Sequence, residues 1–155
     1  MKRLLPACLF VLMCLLAGNP VWADTEPGNN DPSTTTDILV INGAAQSGSV
    51  TNSTDPTDYF KLVTTADGNI TLTISTGNGN LVYFYLYDSD GTTQFNYNYL
   101  YGGTNSLTIN GLAAGTYYAR VTSGAGDNTY TLSATQPALT YNNDPEPNDG
   151  FATAV

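Results

Sequence analysis

Apolar and polar residues alternate with a period of two through the middle of the chain. Ile70, Leu72 and Ile74 are separated by hydroxyl residues, and similar alternation surrounds Phe60 and Leu132. This period places successive side chains on opposite faces of a β-strand. Helical periodicity is absent after residue 23. The pattern predicts nine strands, at 38–41, 49–51, 58–64, 69–75, 81–87, 94–99, 106–109, 116–122 and 129–134.

Short strands at this spacing leave no room for crossover helices. They predict an all-β fold, an antiparallel, jelly-roll-like β-sandwich. The apolar set of each strand is expected to face the core between the sheets. Gly and Asn tolerate positive φ, so four dipeptides predict turns: Asp67-Gly68, Asn78-Gly79, Asp90-Gly91 and Asn110-Gly111.

The first 23 residues have the features of a secretory signal peptide. Lys2 and Arg3 precede the apolar run 4–16, and Ala23 ends a short segment suited to cleavage. Cleavage there predicts a secreted, extracellular or cell-surface protein with no membrane insertion afterwards. The domain prediction is a signal peptide at 1–23, an acidic lead-in at 24–37, a sandwich at 38–136, and a linker with the start of an incomplete second repeat at 137–155.

Charge and residue types exclude several functions for residues 24–155. This part contains no Cys and no His, which removes thiolate chemistry and the usual general base. It contains thirteen acidic residues and two basic ones, Lys61 and Arg120, which gives a formal net charge of −11. Such a charge argues against nucleic acid and anionic membranes as partners. The prediction is a protein that is not an enzyme.

One acidic, Pro-containing motif occurs twice. It is present at the start as Asp24, Glu26, Asn30 and Asp31, and returns as Asp144, Glu146, Asn148 and Asp149. Dense carboxylate and amide oxygens suit Ca²⁺, which takes six to eight oxygen ligands. The alternative is a solvated acidic linker.

Tyrosines recur at every second position of two neighbouring strands. Tyr83, Tyr85 and Tyr87 alternate with apolar residues, and Phe95, Tyr97, Tyr99 and Tyr101 follow at the same period. A hairpin through 88–91 would make a two-row aromatic surface. Tyrosine offers rigid contact area for an extended polymer. The alternatives are cross-strand packing on a solvated sheet and a face covered by a neighbouring domain. The possible binding face is Tyr83, Tyr85, Tyr87, Tyr97 and Tyr99.

The order of several short motifs resembles a known family. The pieces are Glu-Pro-Asn-Asp at 146–149, Asp-Pro-Thr-Asp-Tyr-Phe-Lys at 55–61, Leu-Tyr-Asp-Ser-Asp-Gly at 86–91, Ala-Gly-Thr-Tyr-Tyr-Ala-Arg-Val at 114–121 and Tyr-Thr-Leu at 130–132. Together they resemble the bacterial pre-peptidase C-terminal domain, a family that includes the collagen-binding domains of clostridial collagenases. The resemblance runs from about residue 26 to 134.

This resemblance implies a calcium site and an accessory role. By position, its ligands would be Asp24, Glu26, Asn30, Asp31, Asp55 and Asp58. The implied function is a secreted bacterial binding module that targets or spaces an extracellular enzyme or forms part of a surface protein. Its partner would be a fibrous protein, a polysaccharide or neighbouring domains. The alternative is a purely structural repeat of a cell-surface or adhesive array.

Overall fold

The alternating segments form six β-strands. The computed structural model describes residues 29–138, and no helix occurs among them. The strands are β1 (Gln46–Val50), β2 (Thr57–Thr64), β3 (Gly68–Tyr87), β4 (Gln94–Leu112), β5 (Gly115–Ser123) and β6 (Asn128–Thr135). Nothing in this part of the chain is a helix that could span a bilayer.

One long hairpin, β3–β4, takes part in two antiparallel layers. The first part of β3 pairs with β6, which pairs with β1, whereas its second part pairs with β5, which pairs with β2. β4 follows β3 on the other side through both parts. We call β1–β6–β3–β4 the first sheet and β2–β5–β3–β4 the second sheet. The predicted all-β antiparallel sandwich is confirmed.

The prediction of nine strands was wrong in number. Segments 69–75 and 81–87 are one strand, β3, and segments 94–99 and 106–109 are one strand, β4. Segment 38–41 makes only isolated parallel bridges, from Ile38 to Lys61 and from Ile41 to Ala134. It thereby spans from β2 to β6 and buries Leu39 completely between the sheets.

The Asn78-Gly79 dipeptide does not form the predicted turn. It lies inside β3, where the register with β4 shifts between Thr76 and Leu81. Opposite it, Gly102 has a φ of +78°, and a Cβ there would lie 3.1 Å from the carbonyl oxygen of Asn78. The hairpin therefore passes from one sheet to the other at a close contact between two backbones.

The core consists of the predicted inward faces. Ile70, Leu72 and Ile74 are buried in the first sheet, and Val82, Phe84 and Leu86 in the second. β2, β5 and β6 add alternate residues to the same cluster, including Phe60, Leu62, Val121 and Leu132. The predicted period of two is confirmed in each of these strands.

The outer face of the first sheet is covered by hydroxyl groups. Thr71 pairs with Thr108 at 2.8 Å between hydroxyl oxygens, and Thr73 pairs with Ser106 at 2.9 Å. Ser75 and Thr104 form a third such pair. This face presents a polar, evenly spaced surface.

β4 pairs with β3 only among the described strands, so its other edge lies open. Asparagine side chains occupy part of that edge. Asn96, Asn98 and Asn105 each accept, through Oδ1, a hydrogen bond from the next residue's backbone N–H. Asn98 and Asn105 also donate to the carbonyls of Ser106 and Tyr99, respectively, which links the two halves of β4.

Candidate functional site

The outer face of the second sheet carries the predicted tyrosine rows. Register places Tyr85 opposite Tyr97 and Tyr83 opposite Tyr99. Period two then directs all four rings away from the core, because Val82, Phe84 and Leu86 take the inward positions. We call Tyr83, Tyr85, Tyr87, Tyr97 and Tyr99 the tyrosine face.

Neighbouring rings of the tyrosine face are in contact. Tyr85 and Tyr97 stack with centroids 5.6 Å apart and planes 24° apart. Tyr83 lies 5.9 Å from Tyr99 at 55°. Tyr99 meets Tyr101 nearly edge-on, at 86°. The rings are mutually supported rather than coplanar, so they form a ridged surface and not a flat platform.

Exposure divides the tyrosine face into an outer and an inner row. Tyr97 and Tyr99, on the edge strand β4, are 49% and 50% exposed, whereas Tyr87 is only 7% exposed. Tyr83 and Tyr85 are intermediate. The rings of β4 are therefore the ones available to a partner, and those of β3 support them.

Phe95 does not continue the tyrosine row, contrary to the prediction. The register shifts between Leu86 and Tyr87, so Tyr87 lies opposite Gln94. The Phe95 ring instead lies 5.9 Å from that of Tyr117, a core-facing residue of β5. The irregularity in pairing turns this one aromatic residue away from the face.

Arg120 lies within the tyrosine face, and sequence reasoning missed it. It stands between Tyr59 and Tyr85 in one cross-strand row. Its Cζ is 4.8 Å from the centroid of Tyr85, and its Nη1 donates to the Tyr87 hydroxyl at 3.0 Å. The sequence contained one signal for this position. Arg120 lies between the apolar residues Ala119 and Val121, so the period of two places it on the outward face of β5.

Burial and Arg120 act in opposite directions on two phenols. Burial raises the pKa of Tyr59 and of Tyr85 above the usual value, and the positive charge of Arg120 partly offsets this rise. Both phenols are therefore neutral at physiological pH and act as hydrogen-bonding groups.

A groove of about 430 Å³ borders this face. Asp31, Tyr59, Asp90 and Tyr118 are among the residues that line it. Hydrogen bonds from Ser33 lower the pKa of Asp31, and hydrogen bonds from Thr93 and Thr92 lower that of Asp90. Both carboxylates are thus ionised at neutral pH, but each is held within its own turn.

A second polar cluster is buried at the start of β2. Asp58 is fully buried, and the hydroxyl of Tyr130 donates to its Oδ2. Asp55 is nearly buried, and its Oδ1 has no hydrogen-bond partner among the described residues. The lead-in passes close by, since the N–H of Tyr59 donates to the carbonyl of Asn29 at 2.8 Å.

The predicted calcium ligands fall into three groups. Asp55 and Asp58 are buried near Asn29, a residue the prediction did not include. Asp31 lies in the groove beside Tyr59, on the outer side of β2. Asn30 is exposed between them. Asp24 and Glu26 lie outside the described residues, as do Asp144, Glu146, Asn148, Asp149 and the proposed signal peptide.

The described residues contain no group of three or more His, Cys, Asp or Glu side chains that could hold a metal ion. They also contain neither His nor Cys, so no serine has an imidazole to activate it.

Part of the chain matches the model of a known family. Residues 56–123 match the family model described as bacterial pre-peptidase C-terminal domain. This segment runs from the start of β2 to the end of β5 and includes Tyr83, Tyr85, Tyr97, Tyr99 and Arg120. No curated protein sequence matches the chain.

One solved structure supports the fold. The pre-peptidase C-terminal domain of collagenase from Bacillus anthracis is 24% identical, with a TM-score of 0.52, over 63% of this chain and 92% of that one. Two looser likenesses are to PliG of Aeromonas hydrophila, a periplasmic inhibitor of g-type lysozyme, and to a mitogen derived from Yersinia pseudotuberculosis. PliG is 18% identical, with a TM-score of 0.44, over 63% of this chain and 96% of that one. The mitogen is 13% identical, with a TM-score of 0.45, over 65% and 91%.

Proposed function

From the match of residues 56–123 to the bacterial pre-peptidase C-terminal domain, we propose that the chain is a secreted, non-catalytic binding module. It would act beside an extracellular enzyme or within a surface protein. The proposed partner is an extended polymer, either a polysaccharide or a fibrous protein, and the proposed contact is the tyrosine face.

The observation that carries this proposal is the exposure of supported rings. A soluble domain normally covers large aromatic side chains, yet Tyr97 and Tyr99 are about half exposed and Tyr101 is 65% exposed. Their support by Tyr83 and Tyr85 reduces the entropy that a partner must remove on binding. Ordered, accessible tyrosine is a common composition of binding surfaces.

Substitution of the exposed row tests the proposal. Tyr97→Ala with Tyr99→Ala is expected to weaken retention on a bound polymer by more than about 1–2 kcal/mol. Thr131→Ala on the hydroxyl-covered sheet is the matched control and is expected to change nothing. Binding and urea unfolding would be measured for each variant. Undiminished retention of the double variant would contradict a binding role for this face.

A structural repeat remains the second candidate, and the return of the acidic motif at 144–149 favours it. In that case a following domain covers the tyrosine face. The same substitutions would then leave this chain nearly unchanged but destabilise a longer chain carrying the next domain. Comparing urea unfolding of the two chains separates the candidates.

We further propose that Ca²⁺ fixes the lead-in to the start of β2. Asp55 and Asp58 would supply buried carboxylate oxygens, with others from Asn29 or Asn30 and from Asp24 and Glu26. The buried Oδ1 of Asp55, which has no hydrogen-bond partner among the described residues, supports this donor set. Oxygen-only ligands suit a hard cation, whose bound charge would offset that of the carboxylates.

Limited proteolysis tests the calcium proposal. Cleavage within residues 24–37 is expected to slow in millimolar Ca²⁺, and Asp55→Asn is expected to remove that protection. Asp67→Asn serves as the control because Asp67 lies in the loop between β2 and β3. Equal cleavage rates with Ca²⁺ and with a chelator would rule the site out.

A further inference from the structure

Both bases of residues 24–155 lie on the outer side of the second sheet. Lys61 of β2 pairs with Tyr118 of β5, and Arg120 pairs with Tyr59. By the period of two, Lys61 and Arg120 project on the same side as Tyr85. We propose that they make the tyrosine face selective for a polysaccharide that carries carboxylate groups. This inference rests on the proposed binding role of that face.

The guanidinium of Arg120 is held in place without a carboxylate partner. Its Nε donates to Thr122 Oγ1 at 2.8 Å and its Nη1 to the Tyr87 hydroxyl, and a further side-chain hydrogen bond joins the guanidinium to Tyr59. No ion pair joins Arg120 or Lys61 to an acid within residues 29–138. In a chain with thirteen acids, a fixed and unneutralised guanidinium indicates an anionic group on the partner.

The surrounding charges agree with such a partner. No Asp or Glu occupies an outward position of β2, of β5 or of the second part of β3. The outward positions 97, 99 and 101 of β4 are all tyrosine. Asp31 and Asp90 lie in the groove at the border of the face, and the charge of Asp31 acts on Tyr59. At the outward strand positions of the face itself, the charged residues are therefore the two bases.

Tyrosine beside cations favours a uronate polymer over an acidic peptide. The C–H faces of a sugar ring can pack against the half-exposed rings of Tyr97 and Tyr99, while a carboxylate reaches Arg120. Side chains on one face of β4 repeat every ~6.6–6.8 Å, a distance comparable with the size of a sugar ring.

A matched pair of polymers tests the inference. The full chain would be titrated with polygalacturonate and with its methyl ester, in calcium-free buffer at physiological ionic strength. The acid form is expected to bind about tenfold more tightly, the effect of one charge-assisted contact. Equal affinity for the two forms, or no binding of polygalacturonate, would overturn the inference.

Four variants assign the preference. Arg120→Met is expected to remove the preference for the acid form, and Lys61→Met is expected to reduce it severalfold. Urea unfolding would verify that both variants keep the fold. Thr131→Lys adds a charge to the opposite sheet and is expected to leave the preference unchanged. Tyr97→Ala is expected to weaken the binding of both polymers to the same extent.

The outcomes separate this inference from the binding role on which it rests. Tyrosine-dependent binding of the ester without preference for the acid form would overturn the inference and retain the binding role. If Arg120→Met lost equal affinity for both polymers, Arg120 would only support the rings. If poly-glutamate bound more tightly than polygalacturonate, the ligand would be an acidic peptide. Each of these results contradicts the inference.

Discussion

At the scale of single residues, the hydroxyl of Tyr130 is critical for the core. It donates to the carboxylate of Asp58, which is fully buried. Tyr130→Phe keeps the ring but removes this donor, so we expect a loss of about 1.5–3 kcal/mol in the free energy of unfolding. Urea unfolding would measure it. Tyr118→Phe, on the outer side of β5, is the control and is expected to cost much less.

A second residue-scale prediction concerns alkaline pH. Burial raises the folded-state pKa of Tyr59 and of Tyr85 above the ordinary value of 10.0. As pH rises past that value, the phenols ionise first in the unfolded chain. The free energy of unfolding is therefore expected to fall as pH rises from 10.0 through the folded-state pKa.

Urea midpoints measured from about pH 9 to pH 11.5 would check this decrease. Tyr59→Phe with Tyr85→Phe removes both phenols and should flatten it. An equally steep decrease in that variant would assign the effect to other groups. Arg120→Met is expected to make the decrease in the free energy of unfolding steeper, because loss of the positive charge raises the folded-state pKa of both phenols further.

The alternation of inward and outward positions along each strand predicted where side chains point, but not which side chains contact each other. The inward position of Tyr130 and the outward position of Arg120 follow from alternation with their neighbours. The contacts of Tyr130 with Asp58 and of Arg120 with Tyr87 join residues that are 72 and 33 positions apart. Such partners depend on strand order and register, which the local pattern does not contain.

At the scale of elements, the bend of the β3–β4 hairpin depends on Gly102. Its φ of +78° and the 3.1 Å approach to the Asn78 carbonyl leave no room for a side chain. Gly102→Ala is therefore expected to destabilise the fold by more than about 1 kcal/mol, as measured by thermal or urea unfolding. Gly79→Ala faces no atom within 4 Å and is the matched control. A similar cost at both positions would contradict the role of the bend.

Strand number was the element-scale feature that the sequence did not predict. Asn78-Gly79 has the composition of a hairpin turn, because a turn and a strand irregularity both favour small residues with permissive backbones. The difference lies in the partner strand, where Gly102 and Gly103 allow the close approach. Segment 38–41 likewise has strand composition, but it bridges between the sheets instead of joining either one.

At the scale of the whole molecule, the two sheets present unlike surfaces. The first sheet exposes paired hydroxyls, whereas the second exposes tyrosines and Val63. The bridging segment 38–41 adds the exposed apolar side chains of Ile38 and Val40. One side is well hydrated, and the other has the composition of an interface.

The sandwich itself is expected to remain folded without calcium. Its core is formed by the six strands and Leu39, and the described part of the lead-in adds hydrogen bonds to β2 rather than apolar side chains. At a dissociation constant near ~10⁻⁴–10⁻³ M, millimolar Ca²⁺ would add only about 0.4–1.4 kcal/mol. Urea unfolding with Ca²⁺ and with a chelator would measure this difference. Complete unfolding by the chelator would mean that the metal is required for the fold.

The asparagines along β4 have a consequence for self-association. An open strand edge is a template on which another chain can add a strand and begin a fibril. The N–H groups of Tyr97, Tyr99 and Ser106 already have acceptors, and the carbonyls of Tyr99 and Ser106 already have donors. An incoming strand would find these positions occupied. Copies of the chain can therefore be concentrated in solution while their sheets stay separate.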